Sequence, residues 1–174
     1  MQRFLIGLLA LMWSATAANA SDYLNFYAGY FDITQDDNSA VQVGLEYRYD
    51  DIYRGLRPAI GINVSDDEAV YGYGGFFWDL YLSDHWVFTP NIVAGVFTDG
   101  DGKDLGHAIQ FRSGLELSYQ FDYGNRLGVA FNHISNASIG NRNPGAETLL
   151  VIYQHPLNAF ADPPRKDRWW REPQ

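Results

Sequence analysis

From residue 23 to residue 153 the chain keeps returning to one pattern: an apolar or aromatic residue, then a small or polar one, over and over. Strict alternation of this kind is the signature of a β-strand with two unlike faces. Eight such segments follow one another, near 23–31, 39–49, 53–64, 69–82, 85–98 and 107–121, then two more within 126–153. In the second, Val41, Val43, Leu45, Tyr47 and Tyr49 oppose Gln42, Gly44, Glu46 and Arg48. In the sixth, Ile109, Phe111, Ser113, Leu115, Leu117 and Tyr119 oppose Gln110, Arg112, Gly114, Glu116, Ser118 and Gln120. Turn residues separate the segments, so the expected fold is all-β, one antiparallel domain of eight strands.

A water-soluble eight-stranded binding barrel would share this alternation, with the apolar face turned inward. Three features favour the inverse, a transmembrane barrel. The segments are long enough for a tilted span. Gly and Ala crowd the polar face, as a narrow lumen requires, and the paired charges Glu46, Arg48, Arg57, Arg112, Glu116 and Arg126 share it. Aromatic residues stand near many strand ends, as a girdle at the membrane interface would: Tyr23, Phe31, Tyr47, Tyr49, Tyr53, Tyr81, Trp86, Phe97, Tyr119, Phe121 and Tyr153.

The ends of the chain agree with export. Residues 1–20 read as a signal peptide: a basic start at Arg3, an apolar run from Phe4 to Trp13, and Ala18–Asn19–Ala20 before the cut. The barrel is expected over 21–157. Residues 158–174 form a basic and aromatic tail (Arg165, Lys166, Arg168, Trp169, Trp170, Arg171), read as a disordered periplasmic extension. No later stretch has the ~20 consecutive apolar residues of a spanning helix. The chain has no cysteine, which excludes disulfides and thiolate metal sites. A formal net charge of −9 argues against nucleic acid as a partner. With both termini periplasmic, the connections 32–38, 65–68, 98–106 and 136–145 lie outside the cell, and 50–52, 83–84 and 122–124 in the periplasm. The acidic stretch 98–106 (TDGDGKDLG) lacks the full pattern of a calcium loop and reads as solvated. The sequence calls for no metal or cofactor, and it leaves a homodimer open.

The last two strands carry the chemistry. Leu127, Val129 and Phe131 share a face; continuing it leads to His133 and Ser135, just before a polar loop. The returning strand shows Glu147, Leu149, Val151 and Tyr153 on one face. If Phe131 stands opposite Leu149, His133 falls opposite Glu147. Ser, His and Glu then share one face of one hairpin, the arrangement of an activated nucleophile. That face is the lipid-facing one and the position is the outer rim. A polar group there is costly unless it has a task, which points to a lipid of the outer leaflet as substrate. The corner Ser135–Asn136–Ala137 could supply oxyanion donors, with the Asn136 side chain assisting, while Asn143 would hold the loop. His85, His107 and His155 have no serine at this spacing.

His133–Ile134–Ser135–Asn136–Ala137, followed by Asn143–Pro144–Gly145–Ala146–Glu147, resembles the motif of the outer-membrane lipid A 3-O-deacylases. That family shows His-x-Ser-Asn-Ala, then Gly-x-Glu with the acid fourteen positions after the histidine, and 133 to 147 is the same spacing. The resemblance is strong over about 112–157. It implies an eight-stranded barrel in the Gram-negative outer membrane and a serine esterase. The enzyme would remove an ester-linked acyl chain, at the 3-position, from lipid A in lipopolysaccharide. It implies Ser135 as nucleophile, His133 as base, Glu147 as the acid behind it, and Asn143 as the family's loop asparagine. The chain departs from the family in its tail after Leu157 and in Pro144, which stiffens the loop. A non-catalytic barrel that binds or stabilises lipopolysaccharide, and a phospholipase, are the alternatives.

Overall fold

The structure is a computed structural model that describes residues 22–34 and 39–157. The signal peptide and the basic tail expected from the sequence lie outside the described residues. Nine strand elements occur in chain order: β1 (Tyr23–Phe31), β2 (Ala40–Arg48), β3 (Leu56–Ser65), β4 (Val70–Trp78), β5 (Leu80–Tyr81), β6 (Trp86–Thr98), β7 (Ile109–Gln120), β8 (Arg126–Ser135) and β9 (Ala146–Pro156). β4 and β5 both pair with β6 and are separated by one residue, Asp79, so they make a single stave. Every neighbouring pair is antiparallel, and the pairing of β1 with β9 joins first to last. With β4 on β6 as well, the sheet closes into an eight-stave barrel without a free edge.

The faces are inverted relative to a water-soluble protein. Phe26, Tyr30, Val41, Val43, Leu45, Ile60, Ile62, Leu115, Val129, Phe131, Leu149 and Val151 stand exposed on the outside. Inside are Asn25, Gln42, Glu46, Arg48, Arg57, Asn63, Gln110, Arg112, Glu116, Arg126 and Gln154, all buried. A continuous apolar outer surface of this extent matches a bilayer, not water. Seven of the aromatics expected at the interfaces do face outward or sit at a rim. Tyr23, Phe31 and Phe97 do not: they are almost wholly buried in the barrel, and the Tyr81 hydroxyl accepts a bond from lumenal Arg126. Their position in the alternation, not their nearness to a strand end, sets the face.

Glycine on the inner face makes room for the buried rings. A Cβ on Gly61 would lie 2.5 Å from the Tyr73 ring, and one on Gly95 2.8 Å from Tyr71. The lumen is thus filled with side chains, and two ion networks hold it together. In one, Arg48 donates to Glu46 at 2.8 Å and to Glu116 at 3.1 Å, while Asn25, Tyr27 and Tyr73 donate to Glu46. In the other, Asp79 accepts from Arg57 at 3.0 Å and Arg126 at 2.8 Å, and from Thr89 at 2.9 Å. Asp79 interrupts its strand so that its carboxylate can enter this network; it is absent from the charges that alternation had assigned to the lumen.

One strand begins later than the alternation suggests. The third was expected from residue 53, but β3 starts at Leu56. Arg54 (φ 48°) and Gly55 (φ 88°) adopt left-handed conformations and turn the chain before the ladder begins. The β1–β2, β3–β4, β6–β7 and β8–β9 connections gather at one end of the barrel. There Leu105, from the β6–β7 loop, packs with Phe31, Ala40, Phe97, Ile134 and Ala146 and closes that end with an apolar plug.

Replacing Asp79 by Ala should destabilise the folded barrel by roughly 3 kcal/mol or more, because two arginines lose their buried counter-charge. Urea unfolding in detergent micelles, followed by loss of the compact form on an unheated SDS gel, measures this.

Candidate active site at the loop rim

The register expected for the last hairpin is the register found. Phe131 pairs with Leu149, and His133 with Glu147. Alternation carries the outward face of β8 through Leu127, Val129 and Phe131 to His133, which is exposed, and Ser135, which is half-buried. On the other side of β8, Ser113 pairs with His133 and Phe111 with Ser135. The three polar residues therefore lie outside the barrel wall, above an apolar band and below the long loops.

His133 Nδ1 and a Glu147 carboxylate oxygen are 3.0 Å apart. A carboxylate only accepts, so Nδ1 donates in this bond, and in the neutral ring Nε2 is the acceptor. Among the described residues no hydrogen bond joins Ser135 Oγ to the ring. The two are next neighbours on one strand face, with α-carbons ~6.6 Å apart. The other Glu147 oxygen accepts from Thr34 Oγ1 at 2.8 Å, and the Glu147 carbonyl accepts from the Ile33 N–H at 3.1 Å. Thr34 belongs to the β1–β2 loop and no local pattern singles it out. The signal that would have found it is barrel closure, which seats β1 beside β9 with Phe31 opposite Thr148.

The loop after Ser135 is tightly tied. The Asn136 side chain faces inward and is fully buried, with Nδ2 donating to the carbonyls of Leu105 (2.8 Å) and Arg142 (2.6 Å). Its Oδ1 accepts from the Ser138 N–H. The Asn136 N–H in turn donates to Asn143 Oδ1 at 2.9 Å. The Asn136 side chain, expected to assist the oxyanion, makes bonds that support the loop, as does Asn143, expected to hold it. Ala137 (φ 51°) and Ser138 (φ 63°) are both left-handed, and among the described residues nothing accepts the Ala137 N–H. Arg142 pairs with Asp104, joining this loop to the β6–β7 loop. Gly145 (φ 63°) sits against the imidazole: a Cβ there would come within 3.0 Å of His133 Cε1.

The remaining histidines stand apart. His85 bonds the Gln120 carbonyl and stacks on Tyr119, His155 stacks on Tyr153, and His107 Nδ1 accepts from the Ile109 N–H. Among the described residues no group of three or more His, Asp or Glu side chains converges on a common point.

Comparison with known proteins bears on the family and the fold. The family model for lipid A 3-O-deacylase (PagL) matches residues 11–156. Lipid A deacylase PagL of Bordetella bronchiseptica strain RB50 is 30% identical over 82 residues, 46% of this chain and 45% of that protein, so the match spans about half of the relative's length. The crystal structure of the outer membrane enzyme PagL superposes with a TM-score of 0.58 at 19% identity, over 78% of this chain and 99% of that one. A de novo designed transmembrane β-barrel superposes with a TM-score of 0.56 at 13% identity, over 80% and 98%. These two structures bear on the fold alone, and none of the comparisons supports a homodimer. The family match covers most of the chain and includes the whole barrel and its rim, and the protein therefore belongs to the lipid A 3-O-deacylase (PagL) family of outer-membrane β-barrels.

Proposed function

We propose that this chain is a serine esterase of the Gram-negative outer membrane. It removes the 3-O-linked acyl chain of lipid A from outside the cell. The observation that carries the reading is the His133–Glu147 hydrogen bond on the hydrocarbon-facing wall, beside a serine. A histidine and a glutamate facing lipid are costly and are retained where a lipid must be acted on. Phe111 beside Ser135, and Phe131, Leu149 and Tyr30 below, offer an apolar surface along which an acyl chain can lie. The loops above offer a polar zone for the sugar. The carbonyl of the ester then sits at the height of Ser135.

His133 Nε2 takes the Ser135 proton as Oγ bonds to the ester carbon. Glu147 holds the ring by Nδ1–H and stabilises the imidazolium. The oxyanion is met by backbone N–H groups of the left-handed corner, with Ala137 supplying the uncommitted donor. As the carbon–oxygen bond to the sugar breaks, Nε2 returns the proton to the leaving sugar oxygen. Water attacks the acyl-serine, passes a proton to Nε2, and the fatty acid leaves as Ser135 regains its hydrogen. Asn136 and Asn143 keep the corner in shape.

Ser135→Ala should lower kcat by roughly 10⁴-fold or more, and His133→Asn by a similar factor. Lipid A from cells producing the intact chain should lack one hydroxyacyl mass, and both variants should leave it intact by mass spectrometry. Deacylation by Ser135→Ala at the intact rate overturns the acyl-serine mechanism. Gly145→Ala should also reduce kcat, by up to about a hundredfold, since its methyl displaces the imidazole while Ser135 stays in place. A steady-state assay on lipid A in detergent micelles measures that loss.

A further inference from the structure

We propose that Thr34 is a positioning residue for Glu147, held in place by a buried Asp32–Lys103 ion pair. The proposal rests on the Ser135–His133–Glu147 reading above. Glu147 stands at the second position of β9, partly exposed, where a glutamate side chain has several open rotamers. Each of its carboxylate oxygens has one partner. One faces His133 Nδ1 at 3.0 Å and the other accepts from Thr34 Oγ1 at 2.8 Å. The threonine bond selects the rotamer in which the first oxygen meets the imidazole. The Ile33 N–H fixes the Glu147 backbone from the same corner.

That corner is anchored on three sides. Asp32 is fully buried, in a left-handed conformation (φ 53°), and its carboxylate accepts from Lys103 Nζ at 2.7 Å. Lys103 is itself nearly buried and comes from the β6–β7 loop. The Asp32 carbonyl accepts from Ser39 Oγ at 3.1 Å. Phe31, the residue before, stacks on Phe97 with ring centroids 6.0 Å apart. Thr34 is therefore presented by a braced turn, and its hydroxyl reaches a carboxylate whose partner it never touches. It binds no reacting atom. Its effect passes through the glutamate to the ring.

Kinetics on the full-length chain in detergent micelles, with lipid A as substrate, separates this from a structural role. Thr34→Val, which keeps the shape and removes the hydroxyl, should lower kcat by roughly tenfold to a hundredfold, the range for losing one bond to a charged group, with KM unchanged. Thr34→Ser should recover most of the rate. In a Glu147→Ala background, Thr34→Val should bring no further loss, because the group it positions is gone. An intact kcat in Thr34→Val, or the same fold-loss with and without Glu147, overturns the proposal. The underlying triad fails differently: Glu147→Ala itself would keep its rate. An unheated SDS gel of each variant reports the compact barrel, and loss of that form in Thr34→Val also overturns the positioning role.

Discussion

The buried bonds between arginine and carboxylate in the lumen are what allow the rest of this molecule to exist. A sheet whose outer face lies in hydrocarbon cannot place its charged side chains there, and the narrow interior has little water to solvate them. Arg48 between Glu46 and Glu116, and Asp79 between Arg57 and Arg126, satisfy one another instead. Such pairs add little net stability over apolar packing, but losing one partner is severe. They also serve a geometric end. Glu46 lies on the same strand as Arg48, but the bonds of Arg48 to Glu116 and of Asp79 to Arg57 and Arg126 join different staves, so these are tied through the centre as well as by the backbone ladder.

On such a wall, reactivity is a question of parity. Asn132, Ile134 and Asn136 point inward and are buried, while His133 and Ser135 between them point outward. A slip of one residue in the β7–β8–β9 pairing would send the imidazole into the lumen and leave Asn132 facing lipid. The inward residues guard against that slip. Asn132 donates to Thr148 across the hairpin, Ile134 packs into the apolar plug, and Asn136 ties two loops. The lumen thus sets the register, and the register sets which face the polar trio occupies.

Much of this was legible in the sequence because it is local or periodic. The pairing of His133 with Glu147 follows from alternation and a single assumed contact, Phe131 with Leu149, and the structure has both. The eight staves follow from the same periodicity. What was not legible depends on closure or on faces that the pattern does not distinguish. Asp79 shares the inward parity of Tyr73, Phe77 and Tyr81, but both faces of that stretch are rich in aromatic residues and glycine, so a polar face does not stand out in the sequence. Tyr23, Phe31, Phe97 and Tyr81 lie near strand ends, but their parity turns them inward. Thr34 and Lys103 are 113 and 44 residues from Glu147 in sequence, and only the meeting of β1 with β9 and the folding of one loop over another bring them near.

The rim then has a division of labour that its topology explains. Ser135 and His133 come from one strand, whose geometry is fixed by its ladder. Glu147 is the first residue of β9 to face outward, where the ladder ends and side-chain freedom returns. Bonds from outside its own hairpin hold it there, and they come from the loop after β1, the adjoining stave. That loop bonds the second Glu147 oxygen and leaves the first to His133. Braced by Lys103 from across the barrel mouth, it orients the glutamate while leaving Ser135 and His133 open to the membrane. The covered side of the trio faces the loops and the open side faces lipid, which is the direction from which the lipid substrate of the proposed reaction would approach.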